Sequence, residues 1–135
     1  MIRAVLADTN PLYAAVDEAD DRHERASDDL RKLDSERRLI IIPYTTLLEA
    51  HALVLFRLGK PAARAWLELM SDAALINPEP QDYQQAIAKL RQFPDQKITL
   101  YDALLAVLAS RLGLPVWTYD HHFDTMRVPV WRQLG

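Results

Sequence analysis

The chain has 135 residues, half of them hydrophobic, with no cysteine and a formal charge of −3 from 16 basic and 19 acidic residues. That length favours one domain over 1–135 with a core that needs no staples. The composition excludes disorder, disulfides, thiolate chemistry and cysteine-based zinc sites. No apolar run approaches the roughly 18 residues of a membrane span. The opening MIRAVLADTN lacks a signal-peptide layout, because Asp8 interrupts its apolar run. The expectation is a soluble cytoplasmic protein. The acidic balance counts against a nucleic-acid partner, unless bound cations reverse the local charge.

Ile2 to Ala7 reads as a short buried strand ending at Asp8. Asn10 then Pro11 predicts a helix start, with asparagine as N-cap and proline in the first turn, running to about Asp17. Asp20 to Arg38 is a charged helix with His23, Ala26, Leu30 and Leu33 on one side and a solvated opposite face. Leu39 to Ile42 is a β-branched strand without alternation, expected to be buried on both faces and closed by Pro43. Thr45 or Thr46 caps a helix that stops at Gly59, and Lys60-Pro61 opens another to about Ser71. Ala74 to Ile76 is a third strand, and Gln81 to Phe93 a helix. After a polar loop, Thr99 caps an apolar helix through Leu112, stopped by Gly113. Val116 to Tyr119 is a fourth strand, and Val128 to Trp131 a candidate fifth. Strands alternating with helices predict an α/β fold, with a mainly parallel sheet of about four to five strands covered on both faces.

Four carboxylates fall just past apolar runs: Asp8, Glu49, Asp102 and Asp120. Each has a plain alternative. Asp8 suits an Asx turn. Thr46-x-x-Glu49 and Thr99-x-x-Asp102 have capping-box spacing. Asp120 suits a turn, and Asp124 a solvated or capping acid. Taken together they share one rim, because ligands of open α/β sheets bind beyond the carboxyl ends of the strands. Gathered carboxylates repel and raise one another's pKa. A hard divalent cation relieves this, and oxygen-only ligation favours magnesium or manganese. Such a cation activates water and stabilises the leaving oxygen in phosphodiester cleavage. Among the histidines, His23 and His51 read as core-edge residues. His121 and His122 are adjacent, so their side chains diverge and do not chelate together, although one could touch a phosphate. Arg22 and Arg25, or Arg37 and Arg38, line either a substrate groove or a solvated helix face.

With these stretches in view, the sequence resembles the PIN domain family, and specifically VapC-type ribonuclease toxins, over essentially the whole chain. The matching motifs are VLADTN around Asp8, TTLLEAHAL around Glu49, TLYDALLAVLA around Asp102 and VWTYDHHF around Asp120. The resemblance implies a three-layer α/β/α fold and an endoribonuclease using Mg2+ or Mn2+. It also implies frequent homodimers and a VapB-type antitoxin partner. Asp8, Glu49, Asp102 and Asp120 would carry the metal and the catalysis on RNA. Thr118 would be a supporting hydroxyl, Asn10 an orienting amide and Asp124 an accessory acid. Two rival readings stand beside it. A haloacid-dehalogenase-like phosphatase would need an aspartate where this chain has Asn10. A catalytically silent PIN-like interaction domain would leave the Thr-x-x-acid pairs as helix caps and nothing more.

Overall fold

The computed structural model describes residues 3–132. Its elements are β1 (Ala4–Ala7), α1 (Thr9–Ala14), α2 (His23–Ser35), β2 (Leu39–Pro43), α3 (Tyr44–Leu58), α4 (Lys60–Met70), β3 (Ala74–Ile76), α5 (Pro80–Leu90), α6 (Leu100–Leu112), β4 (Val116–Trp117) and α7 (His122–Thr125). The four strands form one parallel sheet in the order β3-β2-β1-β4. The chain moves outward from β1 to β2 and β3, then returns to lay β4 on the free side of β1. The order therefore reverses between β1 and β4.

Alternation along the strands sorts side chains into two cores. Val5, Ala7, Ile42 and Trp117 face helices α1 to α4, through Leu12, Leu33, Val54 and Trp66. Leu6 and Val116 face α6 and α7, through Leu105, Leu108 and Phe123. Helix α6 is buried along its length from Asp102 to Ala109. These layers make the α/β/α sandwich anticipated from the strand and helix pattern. No helix among the described residues is long and apolar enough to cross a membrane.

Several boundaries differ from the sequence reading. Ile2 lies outside the described residues. Helix α1 is capped by Asp8, whose carboxylate accepts from the Thr9 amide, rather than by Asn10. It ends at Ala14, where Asp17 takes the Tyr13 hydroxyl and the Ala19 amide into a turn. Helix α2 stops at Ser35 because Arg37 turns left-handed (φ 56°) and the Arg38 amide bonds back to the Leu33 carbonyl. Its supposedly solvated face holds Asp29, which is buried. Strand β2 is exposed at Leu39 and fully buried only at Ile42 and Pro43. Strand β4 ends at Trp117, since Thr118 turns its hydroxyl to Asp8 and the Asp120 amide. The fifth strand is only a single parallel bridge, Val130 to Val116.

Candidate active site

The reversal of strand order opens a crevice at the carboxyl edge between β1 and β4, the place where ligands bind in open α/β sheets. Asp8 leaves β1 there, and Thr118 to Asp120 leave β4. Helices α3 and α6 bring Glu49 and Asp102 to the same rim.

Asp8 is 3% exposed. Its Oδ1 accepts from the Thr9 amide at 2.8 Å, and its Oδ2 from the Thr118 hydroxyl at 2.6 Å. Burial pushes its pKa up; the Thr118 and Thr9 hydrogen bonds oppose the rise, and the nearby Asp102 charge adds to it. The Thr118 hydroxyl also accepts from the Asp120 amide at 3.0 Å, so one side chain ties Asp8 to the Asp120 backbone. Asp120 closes its own turn by accepting the His122 amide at 2.9 Å.

Asp102 carries two roles in one place. Its Oδ2 accepts from the Thr99 amide at 3.3 Å, and its own amide donates to the Thr99 hydroxyl at 3.0 Å. The predicted capping box is therefore present. Burial nevertheless raises its pKa, and the Asp120 charge raises it further. The corresponding box at Thr46 and Glu49 does not form. Helix α3 starts at Tyr44 behind Pro43, which puts Thr46 inside it. Thr46 is fully buried and donates to the Ala7 carbonyl at 3.0 Å. Glu49 is thus released from capping. It is an exposed residue on the open side of the crevice. Partial burial of its carboxyl and then the Asp8 charge raise its pKa, with a smaller push from Asp102. Repulsion thus couples Glu49 to Asp8, Asp8 to Asp102, and Asp102 to Asp120.

Two further residues join this group: Tyr101, which the sequence did not single out, and one of the two adjacent histidines weighed there. The Tyr101 hydroxyl sits between Thr9 Oγ1 (3.0 Å) and Thr46 Oγ1 (2.7 Å). Thr46 gives its proton to Ala7, so Tyr101 must donate to Thr46 and accept from Thr9. One relay therefore links α1, α3, α6 and the end of β1. Burial holds the Tyr101 pKa well above its ordinary value, so it stays a donor. The only sequence signal was a tyrosine one residue before Asp102. The second residue is His122. One ligand atom each from Asp102, Asp120 and His122 lie within 4.8 Å of one another. His122 Nδ1 is 3.1 Å from Asp120 Oδ1, whereas the exposed His121 stands 3.9 Å away.

The accessory candidates fare differently. Thr118 lies inside the hydrogen-bond network. Asn10 is exposed on α1. Asp124 points to the surface and pairs with Arg132 at 2.6 Å, outside the cluster. His23 bonds the Ala14 carbonyl and His51 stacks near Trp66, both away from the rim as expected.

The whole is a parallel α/β/α domain with its candidate acids at the point where the strand order reverses. The profile of the PIN domain family matches residues 5–129, and the chain belongs to that family. The haloacid-dehalogenase-like alternative gives way to it. No curated protein matches the chain by sequence. Among solved structures, the chain is similar to VapC20 of Mycobacterium tuberculosis, described as a sarcin-ricin loop cleaving toxin. The TM-score is 0.81 at 19% identity, covering 96% of this chain and 100% of that one. It is also similar to VapBC2 from Rickettsia felis, bound to a fragment of promoter DNA, with TM-score 0.72, 20% identity and 98% of both chains covered. FitAcB from Neisseria gonorrhoeae gives TM-score 0.72 at 19% identity, covering 95% of this chain and 96% of that one. At these identities the likeness is one of fold.

Proposed function

We propose that this protein is a metal-dependent endoribonuclease and the toxin of a VapBC-type toxin–antitoxin pair. The observation that carries this reading is the convergence of Asp8, Glu49, Asp102 and Asp120 at the β1–β4 crevice, with the first three carboxyls raised in pKa by burial and mutual repulsion. Such a set fits a bound divalent cation, which would neutralise the repulsion. The donor set is carboxylate oxygen with His122 at its edge, which favours Mg2+ or Mn2+. When bound, the cation would supply Lewis-acid stabilisation of the phosphoryl oxygens and lower the pKa of water.

The protein's own part is positioning. Asp8 is locked by two hydrogen bonds, and Thr118 sets its distance from the Asp120 turn. Asp102 is fixed by the α6 cap. Glu49, the open carboxylate, would help to orient an attacking water. The Tyr101 relay keeps α1, α3 and α6 in register around them.

An antitoxin is the natural partner, as in a similar structure from Klebsiella pneumoniae described as a toxin–antitoxin complex. An apolar groove of about 440 Å³ between α1, α2 and α4, lined by Leu12, Val16, Leu30 and Met70, suits an apolar antitoxin segment. Exposed Tyr44, Leu48 and Phe56, at multiples of four along α3, suit a second copy of the chain and hence a homodimer. The site of action would be cytoplasmic RNA.

The test is cleavage of a structured RNA by partner-free wild type and Asp102→Asn, each with Mn2+ and with EDTA, alongside calorimetric titration of Mn2+. Cutting by wild type with metal alone is the expected result. Absence of both cutting and Mn2+ binding would leave a silent interaction domain instead.

A further inference from the structure

The acids of the crevice pose a difficulty: an acidic site on a protein of net charge −3 has little attraction for RNA beyond its cation. Beside the crevice, Tyr119 occupies the position between Thr118 and Asp120. Its hydroxyl donates to buried Asp29 at 2.6 Å, and the Trp117 indole donates to the same carboxylate at 3.0 Å. The ring is thereby fixed against α2. Two arginines from the start of that helix fold onto it. The Arg25 guanidinium carbon lies 4.0 Å from the ring centroid and that of Arg22 lies 5.6 Å away. Both residues are exposed. The neighbouring Asp28 is taken by Arg31.

This arrangement has a chemical consequence. A guanidinium that uses its face on an aromatic ring keeps its in-plane N–H fork free, and that fork matches a phosphate. The ring also removes much of the rotamer freedom that a solvated arginine would lose on binding. Consecutive Cα atoms are about 3.8 Å apart, so the platform begins one residue from Asp120. A cleft of about 440 Å³ runs past Arg25, Tyr119 and Trp131; Glu24, Asp28 and Asp29 also line it, with Asp28 taken by Arg31 and Asp29 by Tyr119 and Trp117.

We propose that Arg22 and Arg25, seated on Tyr119, form a phosphate-binding subsite that holds the RNA strand beside the acidic crevice. The proposal rests on the ribonuclease reading. These arginines are positioning residues: they supply the attraction that the carboxylates lack and set which phosphate enters the crevice.

The test uses a fluorescein-labelled, mixed-sequence single-stranded oligoribonucleotide, with anisotropy read across a salt series in Ca2+ and the oligonucleotide checked for integrity afterwards. The Arg22→Ala/Arg25→Ala variant should bind about tenfold more weakly, with a salt slope shallower by about 0.7 for each phosphate it no longer neutralises. Tyr119→Phe, which keeps the ring and loses its bond to Asp29, should bind more weakly than wild type but more tightly than the double alanine variant. The Arg→Lys pair should retain most of the slope and lose part of the affinity. Calorimetric Mn2+ affinity should be unchanged in the double alanine variant, separating this subsite from the metal cluster. Wild-type affinity and slope in the double alanine variant would overturn the subsite and leave the nuclease intact. Failure of wild type itself to bind the oligonucleotide would overturn the subsite and the RNA reading together.

Discussion

Replacing Tyr101 with phenylalanine isolates the relay that joins the elements carrying the acids. The ring stays, and only the hydroxyl is lost. Two hydrogen bonds disappear, from Thr9 at 3.0 Å and to Thr46 at 2.7 Å. Each is worth about 0.5–1.5 kcal/mol net, so Tyr101→Phe should destabilise by about 1–3 kcal/mol. For a chain of 135 residues, 1 kcal/mol corresponds to about 3.5 °C in Tm. The expected fall is therefore about 4–10 °C, read by thermal melts in circular dichroism and checked by urea titration. Thr46→Val should cost at least as much, because the Ala7 carbonyl also loses its donor. The double variant should then fall short of the sum by about 0.5–1.5 kcal/mol, the energy of the shared bond. A Tm within about 1 °C of wild type, with additive single variants, would refute the relay as a structural tie.

Asp102→Asn, which keeps an acceptor for the Thr99 amide, should melt no lower than wild type in EDTA at neutral pH. Raised carboxyls bind more protons folded than unfolded, so they reduce stability as pH rises through the window above the ordinary carboxylate range. The wild-type disadvantage should therefore vanish on acidification through that window, and Mn2+ should raise the melting temperature of wild type but not of the variant. Thr118→Val removes the donor to Asp8 and should raise the Asp8 pKa, shifting the pH dependence of Mn2+ affinity upward; an unmoved profile in calorimetry would refute the bridge. Away from the site, Arg111 makes a bidentate pair with buried Asp82 across α5 and α6, at 2.9 and 2.8 Å. Arg111→Ala should destabilise by about 2 kcal/mol, reduced from the fully buried case because Arg111 is partly exposed. Asp82 has a lowered pKa, so this contribution is present above the ordinary carboxylate range and lost as pH falls through the depressed value. Urea titrations at neutral and acidic pH read both effects, with Mn2+ affinity unchanged throughout.

Periodicity and punctuation determined the element order and most helix ends of this protein by themselves. Thr99, Gly113 and the apolar run between them define α6 through local forces: a side-chain cap, a left-handed residue and a face with no polar alternative. The four candidate acids stand out in the sequence because each follows an apolar run. Tertiary structure alone decided three other matters. Thr46-x-x-Glu49 has the same spacing as Thr99-x-x-Asp102, yet only the second is a capping box, because Pro43 starts α3 before Thr46 and the buried threonine goes to Ala7 and Tyr101. Asp29 looked like one charge among many on a solvated helix; its burial against Trp117 and Tyr119 is a contact across 88 and 90 positions that no local pattern encodes. Val128 to Trp131 has strand composition, but the strand did not form beyond one bridge. Local spacing fixes what a segment can do on its own. Which of two equal options a side chain takes depends on the long-range partner that reaches it.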